Sequence, residues 1–213
     1  MKPIGILGGT FDPVHNGHLR LAIEFYERLD LEEVRFVPLR VPPHRETPLA
    51  DPEQRMAMLT AAIKNITGII IDDCELRRES ISYTIDTVSA VRASVGQIPI
   101  CLLMGMDAFA TIQFWHRWTD LLQYVHIAIA DRPVRDSVTI DPNITVFLNE
   151  HSVNDAAVLH QTPAGKIFSS MIPMLDISAS RIRNMISKGR DPHGLLPEGV
   201  LEFIRTNNLY SNT

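Results

Sequence analysis

Two stretches of the chain carry almost no polar residue. Ile98 to Met104 (IPICLLM) and Val125 to Ala130 (VHIAIA) are each of strand length, and each ends in a turn signal, Gly105-Met106-Asp107 after the first and Asp131-Arg132-Pro133 after the second. A strand that is apolar at nearly every position is buried on both faces, which requires a covering layer on each side of its sheet. Helical patterns supply those layers. Leu19, Ala22, Ile23, Tyr26 and Leu29 recur at helical spacing between apolar Ile4, Ile6, Leu7 and a second strand on Val34, Phe36, Val37 and Leu39. That spacing suits a right-handed strand–helix–strand crossover.

The alternation continues. Asp51 reads as an N-cap with Pro52 at the first helical position and Gln54 three residues after the cap, followed by Met56, Leu59, Ala62, Ile63 and Ile66. Ile69 to Ile71 reads as a short strand, and Ser82 to Val95 as a helix ended by Gly96. FATIQFWHRWTDLL is helical in outline, which puts Trp115 and Trp118 on one face. Residues 136–165 have a broken pattern and receive no assignment. Lys166 to Met171 reads as a last strand, SASRIRNMISKG and PEGVLEFIRTNNLY as two closing helices. The expected fold is α/β, a Rossmann-like open, mostly parallel sheet with helices on both faces, forming a single domain over 1–213 with 172–213 as a small C-terminal helical portion.

Composition narrows the function. The 213 residues carry a net charge of −5, which argues against a broad nucleic-acid-binding face, since such faces need clustered positive charge. No apolar run approaches the roughly 20 residues of a membrane helix, and MKPIGILGG reads as a first strand rather than a signal peptide. Cys74 and Cys101 lack the paired spacing of a zinc site and are too few for a disulfide framework, so a reducing cytoplasm is expected. No feature sets an oligomeric state.

In an open parallel sheet, ligands bind beyond the carboxyl ends of the strands, near the point where strand order reverses. The stretch Gly8-Gly9-Thr10-Phe11-Asp12-Pro13-Val14-His15-Asn16-Gly17-His18 falls there, as do Gly105 to Asp107, Asp131-Arg132 and the turn before Ser178. Gly8 and Gly9 let backbone N–H groups approach an anion at the positive end of the next helix. The stretch is neither the GxGxxG dinucleotide fingerprint nor a Walker loop. His15 and His18, three apart at a helix start, can both face such a ligand; metal ligation with Asp12 and plain helix-start chemistry remain open alternatives. Ser178-Ala179-Ser180-Arg181-Ile182-Arg183 offers hydroxyls, N–H groups and guanidinium groups for a second anion site.

GGTFDPVHNGH together with ISASRIR resembles the nucleotidylyltransferase superfamily. VPPHR (Val41 to Arg45), SYTIDT (Ser82 to Thr87), MGMDAF (Met104 to Phe109), FWHRW (Phe114 to Trp118) and DRP (Asp131 to Pro133) narrow the likeness to the bacterial nicotinate-nucleotide adenylyltransferases, nearly end to end. Ser180 stands where the superfamily usually has threonine, and Leu39-Arg40 where relatives often have small polar residues. The resemblance implies transfer of AMP from ATP to nicotinate mononucleotide with release of pyrophosphate, in NAD biosynthesis, with Mg²⁺ accompanying the ATP; hydrated magnesium needs few protein ligands, so no residue is assigned to the metal.

Under that resemblance His15, His18 and Arg183 are the expected catalytic residues. Gly8, Gly9, Thr10, Phe11, His18, Gly105, Asp107, Ser178, Ser180 and Arg183 are expected at ATP, with both histidines donating to the α- and β-phosphates and Ser180 and Arg183 holding the outer ones. Trp115 would stack on the pyridine ring, Tyr83, Thr84 and Asp107 would meet the ribose and ring carboxylate, Arg132 would lie near ring or phosphate, and His44 and Arg45 would close over phosphates. Nicotinamide mononucleotide, phosphopantetheine, and a nucleotide sensor without turnover remain rival readings.

Overall fold

The protein is described from a computed structural model covering residues 1–40, 47–78, 81, 83–131, 140–173 and 175–211. Among the described residues seven strands, β1 (Ile4–Gly9), β2 (Glu33–Pro38), β3 (Ile69–Ile71), β4 (Ile100–Gly105), β5 (His126–Asp131), β6 (Ser152–Val153) and β7 (Ile167–Met171), form one sheet in the order β3-β2-β1-β4-β5-β7-β6. Every pairing is parallel. The chain runs outward from β1 through β2 to β3, then returns and runs outward the other way from β4. The strands on which these two progressions start, β1 and β4, are neighbours, so the connections leaving them diverge and open a crevice at their carboxyl ends.

The two all-apolar runs are explained by the layers above and below them. Leu7, Leu103 and Ala128 pack into one core with α1 (Asn16–Arg28), α2 (Pro52–Ile63), α6 (Ala179–Ser187) and α7 (Glu198–Thr206), whose Phe25, Met58, Ile182 and Leu201 are buried there. Their immediate neighbours Ile6, Leu102 and Ile127 pack into the other, with Ile85 and Val88 of α3 (Thr84–Val95) and Phe109 of α4 (Met106–Phe109). Successive side chains on a strand point to opposite faces. A polar residue at any of these positions would therefore be buried.

Three local readings change. FATIQFWHRWTDLL is not one helix: α4 stops at Phe109, and 3-10 turns at Ile112–Phe114 and Trp118–Gln123 flank an extended Trp115 (φ −81°, ψ 142°) and a left-handed Arg117 (φ 51°). Trp115 and Trp118 consequently leave the shared face expected of them, and Trp118 packs edge-on against Phe147 at 4.8 Å. A stretch rich in aromatic residues and containing Thr and Ile is a weak helix former, and buried Ile112, Leu121 and Leu122 hold the chain down turn by turn instead. The unassigned 136–165 stretch yields α5 (Pro142–His151), capped by the Asp141 carboxylate, then β6 and a further 3-10 turn capped by Asp155. The third helix, read as starting at Ser82, begins at Thr84, with Ser82 outside the described residues. Among the described residues no helix is long and apolar enough to cross a membrane.

Candidate active site

The carboxyl ends of β1 and β4 open onto a cavity of about 350 Å³ lined by Gly8, Gly9, Thr10, His18 and Gly105 on one side and by Tyr83, Thr84, Trp115 and His116 on the other. A methyl group added at Gly8 would meet no atom within 4 Å, so protein packing is not what calls for glycine there. Thr10 follows with a buried Oγ1 that has no hydrogen-bond partner. Left-handed Phe11 (φ 51°) turns the chain, held by stacking on Phe36 at 5.3 Å and by an edge contact with the His18 ring at 5.0 Å. Phe11 is only 2% exposed, and it braces the cavity wall from behind rather than lining it.

His15 is the N-cap of α1 and His18 lies in its first turn, their rings stacked at 3.7 Å. The His15 N–H donates to His18 Nδ1 at 3.2 Å. A ring nitrogen that accepts carries no proton, so the His18 proton sits on Nε2. His18 lines the cavity. His15 is buried behind it, and burial pushes its pKa down to about 4. Two rings stacked face to face do not converge on one ion, and the Asp12 carboxylate is already taken by other donors, which removes the geometry a zinc site would need. Among the described residues no three metal-ligating side chains cluster.

Asp12 joins three parts of the chain. Its carboxylate accepts the Leu49 N–H at 2.9 Å, the Ala50 N–H at 3.1 Å and the Tyr210 hydroxyl at 2.7 Å. Its main-chain oxygen accepts Arg183 Nη1 at 2.7 Å. The start of α6 is thereby brought onto the opening loop, although Ser178, Ser180 and Arg183 do not themselves line the cavity. Ser178 is the N-cap of α6, accepting from the Arg181 N–H at 3.3 Å, and Arg183 Nη2 reaches Ser180 Oγ at 3.5 Å.

On the other side, Tyr83 is the N-cap of α3 and Thr84 its first residue, so the positive end of that helix faces the cavity. The Tyr83 ring lies 4.5 Å from that of His116, next to Trp115. Asp107 is exposed in the first turn of α4 and lies outside the lining. His44, Arg45 and Arg132 fall outside the described residues.

Three contributors were not legible beforehand. Arg55 is completely buried in α2 and donates to the carbonyls of Thr10 (2.8 Å) and Leu39 (2.7 Å), tying the ends of β1 and β2 together. Glu75, at the cavity wall, accepts the Thr87 hydroxyl and so holds α3. Arg40 donates to the carbonyls of Leu76 and Arg78, fixing the segment that carries Glu75, while Leu39 lines the cavity. An arginine amid apolar residues reads as a solvated one, and nothing local in the sequence says otherwise.

A family profile described as Cytidylyltransferase-like matches residues 6–185. Proteins named "Probable nicotinate-nucleotide adenylyltransferase" from Aeromonas salmonicida and Methylococcus capsulatus are each 42% identical to the chain, over 98% of its length and 97% and 99% of theirs. The chain belongs to the nicotinate-nucleotide adenylyltransferase family. The nicotinic acid mononucleotide adenylyltransferase of Plasmodium falciparum, solved in complex with NaAD, superposes with a TM-score of 0.75 over 99% of this chain and 98% of that one at 22% identity, so the likeness to that family member is one of fold.

Proposed function

We propose that this cavity transfers the adenylyl group of ATP to nicotinate mononucleotide, giving nicotinate adenine dinucleotide and pyrophosphate, as a cytoplasmic step of NAD biosynthesis. The observation that carries the reading is the end of β1: open space over Gly8, the unpartnered Thr10 hydroxyl and the His18 ring, whose Nε2 carries the proton, line one cavity that also holds Tyr83, Trp115 and His116. Buried polar atoms without partners are rare unless a ligand supplies the partner.

The mononucleotide's phosphate is anionic at neutral pH and attacks the α-phosphorus in line, so no general base is required. Catalysis then consists of positioning and of stabilising charge on phosphoryl oxygens. The Gly8, Gly9 and Thr10 groups cradle the ATP phosphates, and His18 donates to the oxygens that gain charge. His15, neutral and stacked behind, holds the His18 ring. Ser180 and Arg183, delivered to the loop by the bond to Asp12, take the outer phosphates as ATP enters. Gly105 shapes the nucleotide side, and Trp115, Tyr83, Thr84 and Asp107 serve the pyridine nucleotide, with Arg132, His44 and Arg45 assigned there by resemblance alone.

The unpartnered hydroxyl at the cradle, that of Thr10, can donate to a phosphate oxygen, and the nearby Asp12 carboxylate already accepts three hydrogen bonds. That chemistry suits a Mg²⁺ carried by the ATP itself, which when bound offsets charge on the departing pyrophosphate. Two free cysteines, Cys74 and Cys101, whose thiols burial pushes up to about 12, accord with a reducing compartment.

A pyrophosphate-release assay with ATP and Mg²⁺ tests the reading, run in parallel with nicotinate mononucleotide, nicotinamide mononucleotide and phosphopantetheine. Fastest release with the nicotinate substrate, and a product of the dinucleotide's mass, is expected. No release with either mononucleotide would overturn the activity, and equal efficiency for acid and amide would overturn the substrate preference.

A further inference from the structure

The Asp12 carboxylate is 4% exposed and Arg183 Nη1 stands 3.8 Å from Oδ2, a long ion pair with no hydrogen bond between guanidinium and carboxylate. Arg183 instead gives that N–H to the Asp12 main-chain oxygen. The carboxylate is occupied by two backbone donors from Leu49 and Ala50 and by the hydroxyl of Tyr210, which returns from beyond α7 to a residue 198 positions earlier. The tail that delivers this hydroxyl is bent through left-handed conformations at Asn208 (φ 51°) and Tyr210 (φ 62°). Such conformations are costly for residues other than glycine, and they persist where surrounding contacts demand them. Tyr210 is not among the residues that line the cavity.

We propose that Tyr210 is a positioning residue for ATP: by satisfying the buried Asp12 carboxylate with a neutral donor, it keeps Arg183 at the length of a loose ion pair, its fork not closed onto that carboxylate, and leaves the guanidinium turned to the outer phosphates. This rests on the assignment of Arg183 to those phosphates. Arg55, the other guanidinium near Asp12, has its Nη1 committed to the carbonyls of Thr10 and Leu39, so Arg183 is the flexible charge that answers a change at Asp12. Without the hydroxyl, Arg183 closes the 3.8 Å gap and its fork goes to the carboxylate, a pairing favoured in a buried setting.

Tyr210→Phe keeps the ring and removes the donor. Steady-state kinetics well below the melting temperature should show kcat/KM for ATP reduced about tenfold, with KM for nicotinate mononucleotide changed less than about twofold. In an Arg183→Ala background the same substitution should change kcat/KM for ATP less than about twofold, because its effect runs through Arg183. A lower melting temperature with unaltered ATP kinetics, or an equal loss in both backgrounds, overturns the proposal. If Arg183→Ala alone has native ATP kinetics, the phosphate role of Arg183 is what fails, and the two failures are told apart by that single variant.

Discussion

The two ends of the same sheet solve the same problem in opposite ways. At the amino ends of β4, β5 and β7, Arg92 donates to the carbonyls of Tyr124, Gly96, Ile98 and Pro163, each at 2.7 Å, and burial lowers its pKa. There too, the buried His126 uses both ring nitrogens, Nε2 with the Thr162 carbonyl at 2.8 Å and Nδ1 with the Lys166 N–H at 3.1 Å. At the carboxyl end of β1, by contrast, Arg55 ties two strands yet keeps a buried Nε without a partner, as do Thr10 Oγ1 and His15 Nδ1. A closed network of satisfied groups stabilises, whereas a network left open on one side awaits something. Both ends contain a carbonyl-binding arginine, half-buried at Arg92 and fully buried at Arg55, and a buried histidine; what separates structure from function is what remains unpaired.

The largest effect that could break this contrast is expected at the open end. His18→Ala removes a donor aimed at developing phosphoryl charge, and such losses reduce kcat by about 10²–10³-fold, roughly 2.7–4 kcal/mol. Turnover of the variant, measured with circular dichroism as a check of folding, settles it. Near-native turnover would mean that the His18 donor has no part in the reaction. The closed end should give the reverse outcome. Arg92→Ala strands several carbonyls and should cost about 3 kcal/mol of stability in a denaturant titration. Its kcat and KM, read well below the melting temperature, should stay native; a selective loss of turnover would erase the distinction between the ends.

The closed end was the more legible in outline and the less legible in detail. Continuous apolarity in Ile98–Met104 and Val125–Ala130 announces doubly buried strands, because burial on both faces leaves a pattern in every residue. The glycines and histidines of the opening loop were readable for a similar local reason, and Trp115 reached the cavity even though the helix expected to carry it stops at Phe109. Bonds between distant residues leave no such trace. Arg55 sits in an ordinary amphipathic helix, the Tyr210–Asp12 bond spans almost the whole chain, and Arg92 looks like any basic residue in a last helical turn.

Acid should act in the same direction on the buried histidine at each end. His15 has its pKa lowered to about 4 by burial, and His126 is lowered for the same first cause. A histidine that is neutral when folded contributes stability fully above its unfolded pKa of about 6.5, and that contribution drains as pH falls toward the folded value. For His15 the window is about pH 6.5 to 4 and the loss up to about 3 kcal/mol. His15→Asn should flatten the stability-versus-pH curve across that window while leaving the share due to His126. An unchanged slope would show that His15 is accessible to protons in the folded state.

The smallest expected effect is also the sharpest separation of packing from ligand. Gly5 and Gly8 lie on the same strand, but a methyl at Gly5 would sit 2.9 Å from Leu31 and 3.1 Å from Leu103, whereas a methyl at Gly8 meets nothing. Gly8→Ala should therefore leave stability within about 0.5 kcal/mol of native, as for other substitutions away from packed features. The added methyl stands where a phosphate must approach the backbone, so ATP affinity by calorimetry should fall about tenfold, near 1.4 kcal/mol. Gly5→Ala should do the opposite, lowering the melting temperature with little change in ATP binding. If Gly8→Ala binds ATP as tightly as the native chain, the phosphates lie elsewhere in the cavity and the open end of β1 has some other occupant.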